Sequence, residues 1–199
     1  MAIQSGQPPR VLVFAGSARG DSLNRKLAGA AAESLRAAGL AVTFADLRDY
    51  PMPLYDGDLE AARGMPERAK AFKELVREHD TLAIASPEYN GSFPALLKNV
   101  IDWTSRPEPG EPHLAVFRGK TAVLMSISPG SGGGRRGLRH LRELLEMVGV
   151  TVIAEQLTVP GGAAAWDGQG KLRPEHARAL DQIAAGLAQV VRKPAGSAA

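Results

Sequence analysis

Thr81-Leu-Ala-Ile-Ala-Ser-Pro-Glu-Tyr-Asn-Gly-Ser-Phe-Pro-Ala-Leu-Leu-Lys-Asn-Val-Ile-Asp-Trp103 decides how this chain is read. Residues 81–85 form an apolar run of strand length, the pattern of a strand buried on both faces. Pro94 to Trp103 reads as a helix, with Leu96, Leu97, Val100 and Ile101 on its apolar face. Between them lies a polar loop with one acid, Glu88, one aromatic, Tyr89, and one amide, Asn90. Pro87 and Pro94 stiffen its ends by fixing φ. A loop at the carboxyl end of a buried strand is where an open α/β sheet binds its ligand.

The same strand-then-helix unit recurs along the chain. Residues 11–15, 41–45, 121–125 and 150–154 read as further strands, each a short apolar run. Residues 23–38 read as a helix stopped by Gly39, 66–78 as one opened by Pro66, 136–148 as one stopped by Gly149, and 174–191 as the last. Residues 48–64 read as a loop, with Pro51, Pro53 and Gly57 as breakers. Right-handed crossovers then give a doubly wound, five-stranded parallel sheet with helices on both faces. Order 2-1-3-4-5, a flavodoxin-like α/β fold, puts strands one and three at the switch point. One domain spanning 10–192 is expected, with 1–9 and 193–199 as loose tails.

Composition narrows the function. The chain has 199 residues, 44% hydrophobic and 23% charged, with a formal net charge of +3. No basic run offers the many phosphate contacts that nucleic-acid binding requires. No cysteine is present, which removes disulfides and thiolate chemistry. The start lacks the pattern of a signal peptide, and no apolar stretch reaches the ~20 residues of a membrane span. A cytoplasmic protein that binds neither nucleic acid nor membrane is expected. His79, His113, His140 and His176 are scattered, so no metal site is expected.

Three loops at strand ends carry the chemistry. The first is Gly16-Ser-Ala-Arg-Gly-Asp-Ser-Leu-Asn24, with Ser22 as the helix cap. A helix start with free amides, hydroxyls and Arg19 suits a phosphate dianion. It lacks the Gly-Lys-Ser/Thr of a Walker A loop. An ordinary capped turn with a solvated Arg19 also fits. The second is Pro87-Glu-Tyr-Asn-Gly91, where Tyr89 suits a planar ring and Asn90 its polar edge; a rigid turn satisfying its own backbone fits too. Glu88 has no second carboxylate beside it in the motif, so it is not read as half of an acid–base pair. The third is Ser126-Ile-Ser-Pro-Gly-Ser-Gly-Gly-Gly-Arg-Arg-Gly137. It contains a G-x-G-x-x-G match with Glu155 about 20 residues on. Pro129 and extra residues separate that match from its strand, so it is discounted as a dinucleotide fingerprint. Met52 and Tyr55 suit either a pocket wall or the surface, and Trp103 and Trp166 are read as packing residues.

Taken together, these segments resemble the NADPH-dependent FMN reductase family, which includes quinone, azo-dye and chromate reductases. Gly-Ser-x-Arg-x-x-Ser-x-Asn-x-x-Leu-Ala is matched from Gly16 to Ala28. Pro-Glu-Tyr-Asn-x-Ser-x-Pro-x-x-Leu-Lys-Asn-x-x-Asp-Trp is matched from Pro87 to Trp103. A looser match runs from Ser128 through Gly133, Gly134 and Arg136 to Leu141-Arg142. The resemblance implies that Ser17, Arg19, Ser22, Leu23 and Asn24 hold the FMN phosphate. It implies that Pro87, Glu88, Tyr89, Asn90 and Gly91 follow the ribityl chain and ring, and that Ser128, Gly130 and Gly133 lie near the ring's far side. It further implies hydride transfer from NADPH or NADH to the flavin, then to a small acceptor in a ping-pong cycle, with no obligatory side-chain base. A homodimer or homotetramer is expected. A flavodoxin-type electron carrier and a nucleotide-binding regulator on the same sheet remain as rivals. The usual acidic surface of the carrier is missing, since Lys and Arg number 24 against 21 Asp and Glu.

Overall fold

The computed structural model describes residues 8–192. Five parallel strands, β1 (Arg10–Ala15), β2 (Ala41–Ala45), β3 (Thr81–Ala85), β4 (Thr121–Ile127) and β5 (Thr151–Val159), lie in the order β2-β1-β3-β4-β5. The flavodoxin-like topology is therefore present, with β1 and β3 adjacent where the winding reverses. Six helices connect and flank the strands: α1 (Leu23–Ala37), α2 (Gly57–Arg63), α3 (Glu67–Glu78), α4 (Ala95–Thr104), α5 (Arg135–Met147) and α6 (Pro174–Arg192).

Alternation within β1 shows why its strand is apolar throughout. Val11, Val13 and Ala15 pack with α1 and α6, while Leu12 and Phe14 pack with α3, α4 and α5. Each face of the sheet thus has its own core, and Val11 to Ala15 are all buried, leaving only Arg10 at the strand's start exposed. A smaller cluster of Met65, Ala69 and Trp103 takes in Met52, Tyr55 and Leu59. Met52 and Tyr55 are therefore packing residues. Asn99 accepts from the Tyr55 amide at 2.7 Å, and Trp103 Nε1 donates to the Pro53 carbonyl at 2.8 Å.

Two readings need correction. Residues 48–64 are not wholly a loop, because α2 forms inside them. Asp56 caps it, accepting from the Asp58 amide at 2.8 Å and the Leu59 amide at 3.4 Å, and Gly64 ends it at φ 71°. Gly57, read as a breaker, is the first helical residue. β5 also runs five residues beyond the expected Ala154, to Val159. Between the pairs Ala122–Val152 and Leu124–Gln156, β4 advances two residues and β5 four, so Ile153 to Glu155 bulge out. Arg142 Nη1 and Nη2 donate to the carbonyls of Val152 and Ile153 at 2.9 and 2.7 Å, occupying groups that the bulge takes from the ladder. Most of both expected tails, residues 1–7 and 193–199, lies outside the described residues. Pro9, assigned to the first tail, is buried, and its carbonyl accepts from the Ala41 amide at 3.1 Å.

Candidate functional site

Loop one turns from β1 into α1 over Gly16 to Ser22. Gly16 lies against α4: a Cβ there would come within 3.1 Å of Leu97. Ser22 is the helix cap, its hydroxyl accepting from the Arg25 amide at 3.2 Å. That cap leaves the N–H groups of Leu23 and Asn24 in the first turn with no acceptor among the described residues. Ser17 and Ser22 are buried at the same corner. Hydroxyls and free amides thus converge where the helix dipole is positive, an arrangement that favours an anion.

The cations of this corner are already engaged. Arg19 makes a two-pronged contact with Asp21, at 3.0 Å to each oxygen, with both side chains largely exposed. Arg25 meets Asp46 at 2.8 Å, and Arg48 meets the same carboxylate at 2.7 Å. The Arg48 guanidinium, aided by Arg25, holds the Asp46 carboxyl below the usual carboxylate range against the opposing effect of burial. The net pull on an anion at this corner therefore comes mainly from backbone amides.

Asn24 stands differently from the expected phosphate ligand. It is buried, and its amide donates to the Ile127 carbonyl at 2.9 Å and accepts from the Ile127 amide at 3.0 Å. One side chain thereby ties the start of α1 to the carboxyl end of β4, bonding both backbone groups of Ile127 as a neighbouring strand would.

Loop two is a two-residue hairpin. The Tyr89 amide donates to the Ser92 carbonyl at 2.9 Å, and the Ser92 amide returns the bond at 3.0 Å. Asn90 (φ 52°) and Gly91 (φ 77°) occupy the tip, the left-handed pair that an Asn-Gly turn supplies. Tyr89 stands half exposed. Glu88 leans the other way: its Oε2 accepts from the Gly137 amide at 2.9 Å, in the first turn of α5. The reading that denies Glu88 an acid–base pair thus gains a positive role for the side chain.

Loop three is less a ligand cradle than expected. Ser128 and Pro129 reach the cleft, but Gly130 and Gly133 lie outside its lining. Gly133 faces β5 instead; a Cβ there would sit 2.8 Å from the Val159 nitrogen. Gly134 (φ 89°) packs on Ser126, whose hydroxyl would lie 1.9 Å from an added Cβ. Gly133 and Gly134 thus bring the start of α5 down onto the sheet. Glu155, the acid expected of a dinucleotide fingerprint, sits mid-strand on the exposed side of β5, so that match is not a nucleotide loop.

Between the loops lies a cleft of about 330 Å³, lined by parts of loops one, two and three. It brings together Ser17, Arg19, Ser22, Leu23, Asn24, Pro87, Glu88, Tyr89 and Ser128. Asn90 and Gly91 form the hairpin tip beside it. Asp21, Ile127, Pro129 and Ala163 also line it and were not singled out from the sequence. Ala163 comes from a 3-10 turn after β5. The Pro160-Gly161-Gly162 run marks that turn as a fourth strand-end loop once β5 is given its full length. Among the described residues no cluster of His, Asp and Glu is placed to hold a metal ion, and no helix is long and apolar enough to cross a membrane.

The family model described as NADPH-dependent FMN reductase matches residues 9–164. The chain belongs to this family. A NAD(P)H-dependent FMN reductase of Pseudomonas aeruginosa is 37% identical over 174 residues, 87% of this chain and 89% of that one. A quinone reductase of Pseudomonas putida is 37% identical over 163 residues, 81% and 83% of the two chains. Among solved structures, FerB of Paracoccus denitrificans, a flavoenzyme NAD(P)H:(acceptor) oxidoreductase, superposes with a TM-score of 0.77 at 28% identity, covering 91% of this chain and 96% of that one. Family membership makes this chain an oxidoreductase working with FMN and a reduced nicotinamide cofactor. The cleft suits FMN on its own terms: unsatisfied amides and buried hydroxyls at one end offer donors for a phosphate, and a half-exposed tyrosine at the other offers a face for a planar group.

Proposed function

We propose that this FMN reductase family member oxidises NADPH or NADH and reduces a small planar acceptor, such as a quinone, free flavin or azo compound, or chromate, in a ping-pong order. The hydride chemistry belongs to the flavin; the protein's part is to bind it, expose one face and hold its charge. Ser17, Ser22 and the amides of Leu23 and Asn24 take the phosphate. Arg19 joins them by sharing its guanidinium between Asp21 and the phosphate. Pro87 to Gly91 run along the ribityl chain and ring, and Ser128 closes the far side. Backbone donors near the ring's pyrimidine edge stabilise negative charge there. No side chain is assigned as a proton-transfer base.

A single observation carries this reading. The cleft lies at the β1/β3 switch point, between an uncapped pair of helix amides and an Asn-Gly hairpin that presents Tyr89. Quinone reduction is favoured among acceptors by the relatives that bear that name. The working unit is a cytoplasmic homodimer or homotetramer of a single domain spanning 10–192, a point for light scattering to check. The deciding experiment mixes the FMN-loaded protein anaerobically with NADPH or NADH and follows flavin absorbance. Rapid bleaching, followed by turnover across a panel of acceptors, is expected. A protein that takes up no FMN, or holds FMN that neither nicotinamide reduces, refutes the proposal.

A further inference from the structure

We infer that Glu88 is a positioning residue: its carboxylate, anchored on the first turn of α5, sets where the hairpin stands against the flavin. The inference rests on the reading just given. Three close approaches join the hairpin to the first two turns of α5. Glu88 Oε2 accepts from the Gly137 amide at 2.9 Å. The Ser92 hydroxyl meets His140 Nδ1 at 3.2 Å. Gly137 itself has no room for a side chain, since an added Cβ would lie 3.2 Å from the Ser92 carbonyl oxygen and 3.3 Å from Glu88 Cβ and Cγ.

Gly137 is the third residue of α5, so its N–H has no partner within the helix and is exposed to the positive end of the helix dipole. A carboxylate there makes a charge-assisted bond, about twice the strength of a neutral one. The hairpin is closed on itself by the paired Tyr89 and Ser92 bonds, with a two-residue tip. A shift at its base therefore moves Tyr89 and the tip amides as one body. The motif Pro-Glu-Tyr-Asn thus divides its labour. Tyr89 and the backbone face the cofactor, while the glutamate, at the cleft's wall, bonds α5 and fixes their place.

Two substitutions separate this from an acid–base role and from simple structure. Glu88→Gln keeps an acceptor oxygen and has no proton to give; Glu88→Ala keeps neither. FMN affinity, followed by quenching of flavin fluorescence, is expected to fall about tenfold in Glu88→Ala and about threefold or less in Glu88→Gln. Gly137→Ala, which raises helix propensity, is expected to weaken FMN comparably by pushing the hairpin outward. In the flavin-free protein, hydrogen exchange at the Gly137 amide is expected to speed up about tenfold in Glu88→Ala and less in Glu88→Gln. Wild-type affinity in Glu88→Ala overturns the inference. So does equal impairment of the Ala and Gln variants, or a Gly137 amide whose exchange is indifferent to residue 88. If the unaltered chain takes up no FMN, the proposed function fails instead, and the exchange measurement still decides the contact.

Discussion

Asn24→Ala tests the reassignment of a residue that the family resemblance places at the phosphate. In the folded chain its amide bonds both backbone groups of Ile127, which is itself buried. Truncation leaves a buried N–H and a buried C=O without partners, a penalty of roughly 1–3 kcal/mol each. Relaxation and water entry recover part of this, so a net loss of about 3 kcal/mol is expected. For a chain of 199 residues each kcal/mol lowers Tm by about 2–4 °C, which gives a fall of about 6–12 °C. The assay is thermal unfolding of the flavin-free protein, repeated with saturating FMN. Asn24→Asp supplies a control, because it keeps the acceptor for the Ile127 amide but sets a carboxylate against the Ile127 carbonyl. Burial and that carbonyl raise the new carboxyl's pKa, so its penalty is present at neutral pH and fades on acidification as the protonated acid begins to donate. An Asn24→Ala protein that melts unchanged without FMN and loses only FMN affinity would refute the reasoning and restore Asn24 to the phosphate.

Asp21→Asn frees the Arg19 guanidinium and removes a negative charge beside the phosphate corner; FMN is expected to bind about twofold to fivefold tighter at low salt, with the gain lost at high salt, read by fluorescence titration. Arg19→Ala should weaken FMN in the opposite direction, and unchanged affinity would remove Arg19 from the phosphate. Gly134→Ala drives a methyl into the Ser126 hydroxyl at a left-handed backbone position and should destabilise by at least ~2 kcal/mol; Ser126→Gly in the same chain should recover part of that loss in a denaturant titration. Burial works to raise the Glu111 pKa, but Lys73, the Glu108 amide and Arg77 overcome it and hold it at about 2, against an ordinary value of 4.5. Its contribution to stability is therefore complete above about pH 4.5 and is lost as pH falls toward 2. Unfolding monitored across that window should lose part of its pH slope in Glu111→Gln.

The sheet was legible chiefly from its inner strands β1, β3 and β4, which are buried on both faces and therefore read as nearly unbroken apolar runs. Crossover handedness gave the doubly wound sheet, and order 2-1-3-4-5 was the flavodoxin-like choice among such sheets. β5 was read too short because Glu155 and Gln156 interrupt its apolar pattern, and a bulge is what allows polar residues there. α2 escaped notice because Gly57 looks like a breaker, while Asp56 two residues before Asp58 is the cap that overrides it. At the site, motif spacing located the loops but not the direction of each side chain. Asn24 and Glu88 sit at strand-end positions shared with ligand-facing residues, yet their partners are backbone groups 103 and 49 residues away. Only packing brings those segments together, so no local pattern reports them. The resemblance placed Gly130 and Gly133 near the ring, whereas Gly133 and Gly134 lack side chains where the chain presses against β5 and β4.

The sheet ends at β5, whose outer side faces no further strand. The groups that nine extended residues turn outward, away from β4, would invite another copy of the chain to add on and start a growing stack. The out-turned stretch from Ile153 to Glu155 bends that rim out of line, Glu155 puts a charge on it, and the Arg142 fork fills two of its acceptors. A helix side chain thus blunts this rim, and Arg142→Ala is expected to lower the temperature at which the protein precipitates on mild heating while leaving flavin reduction unchanged.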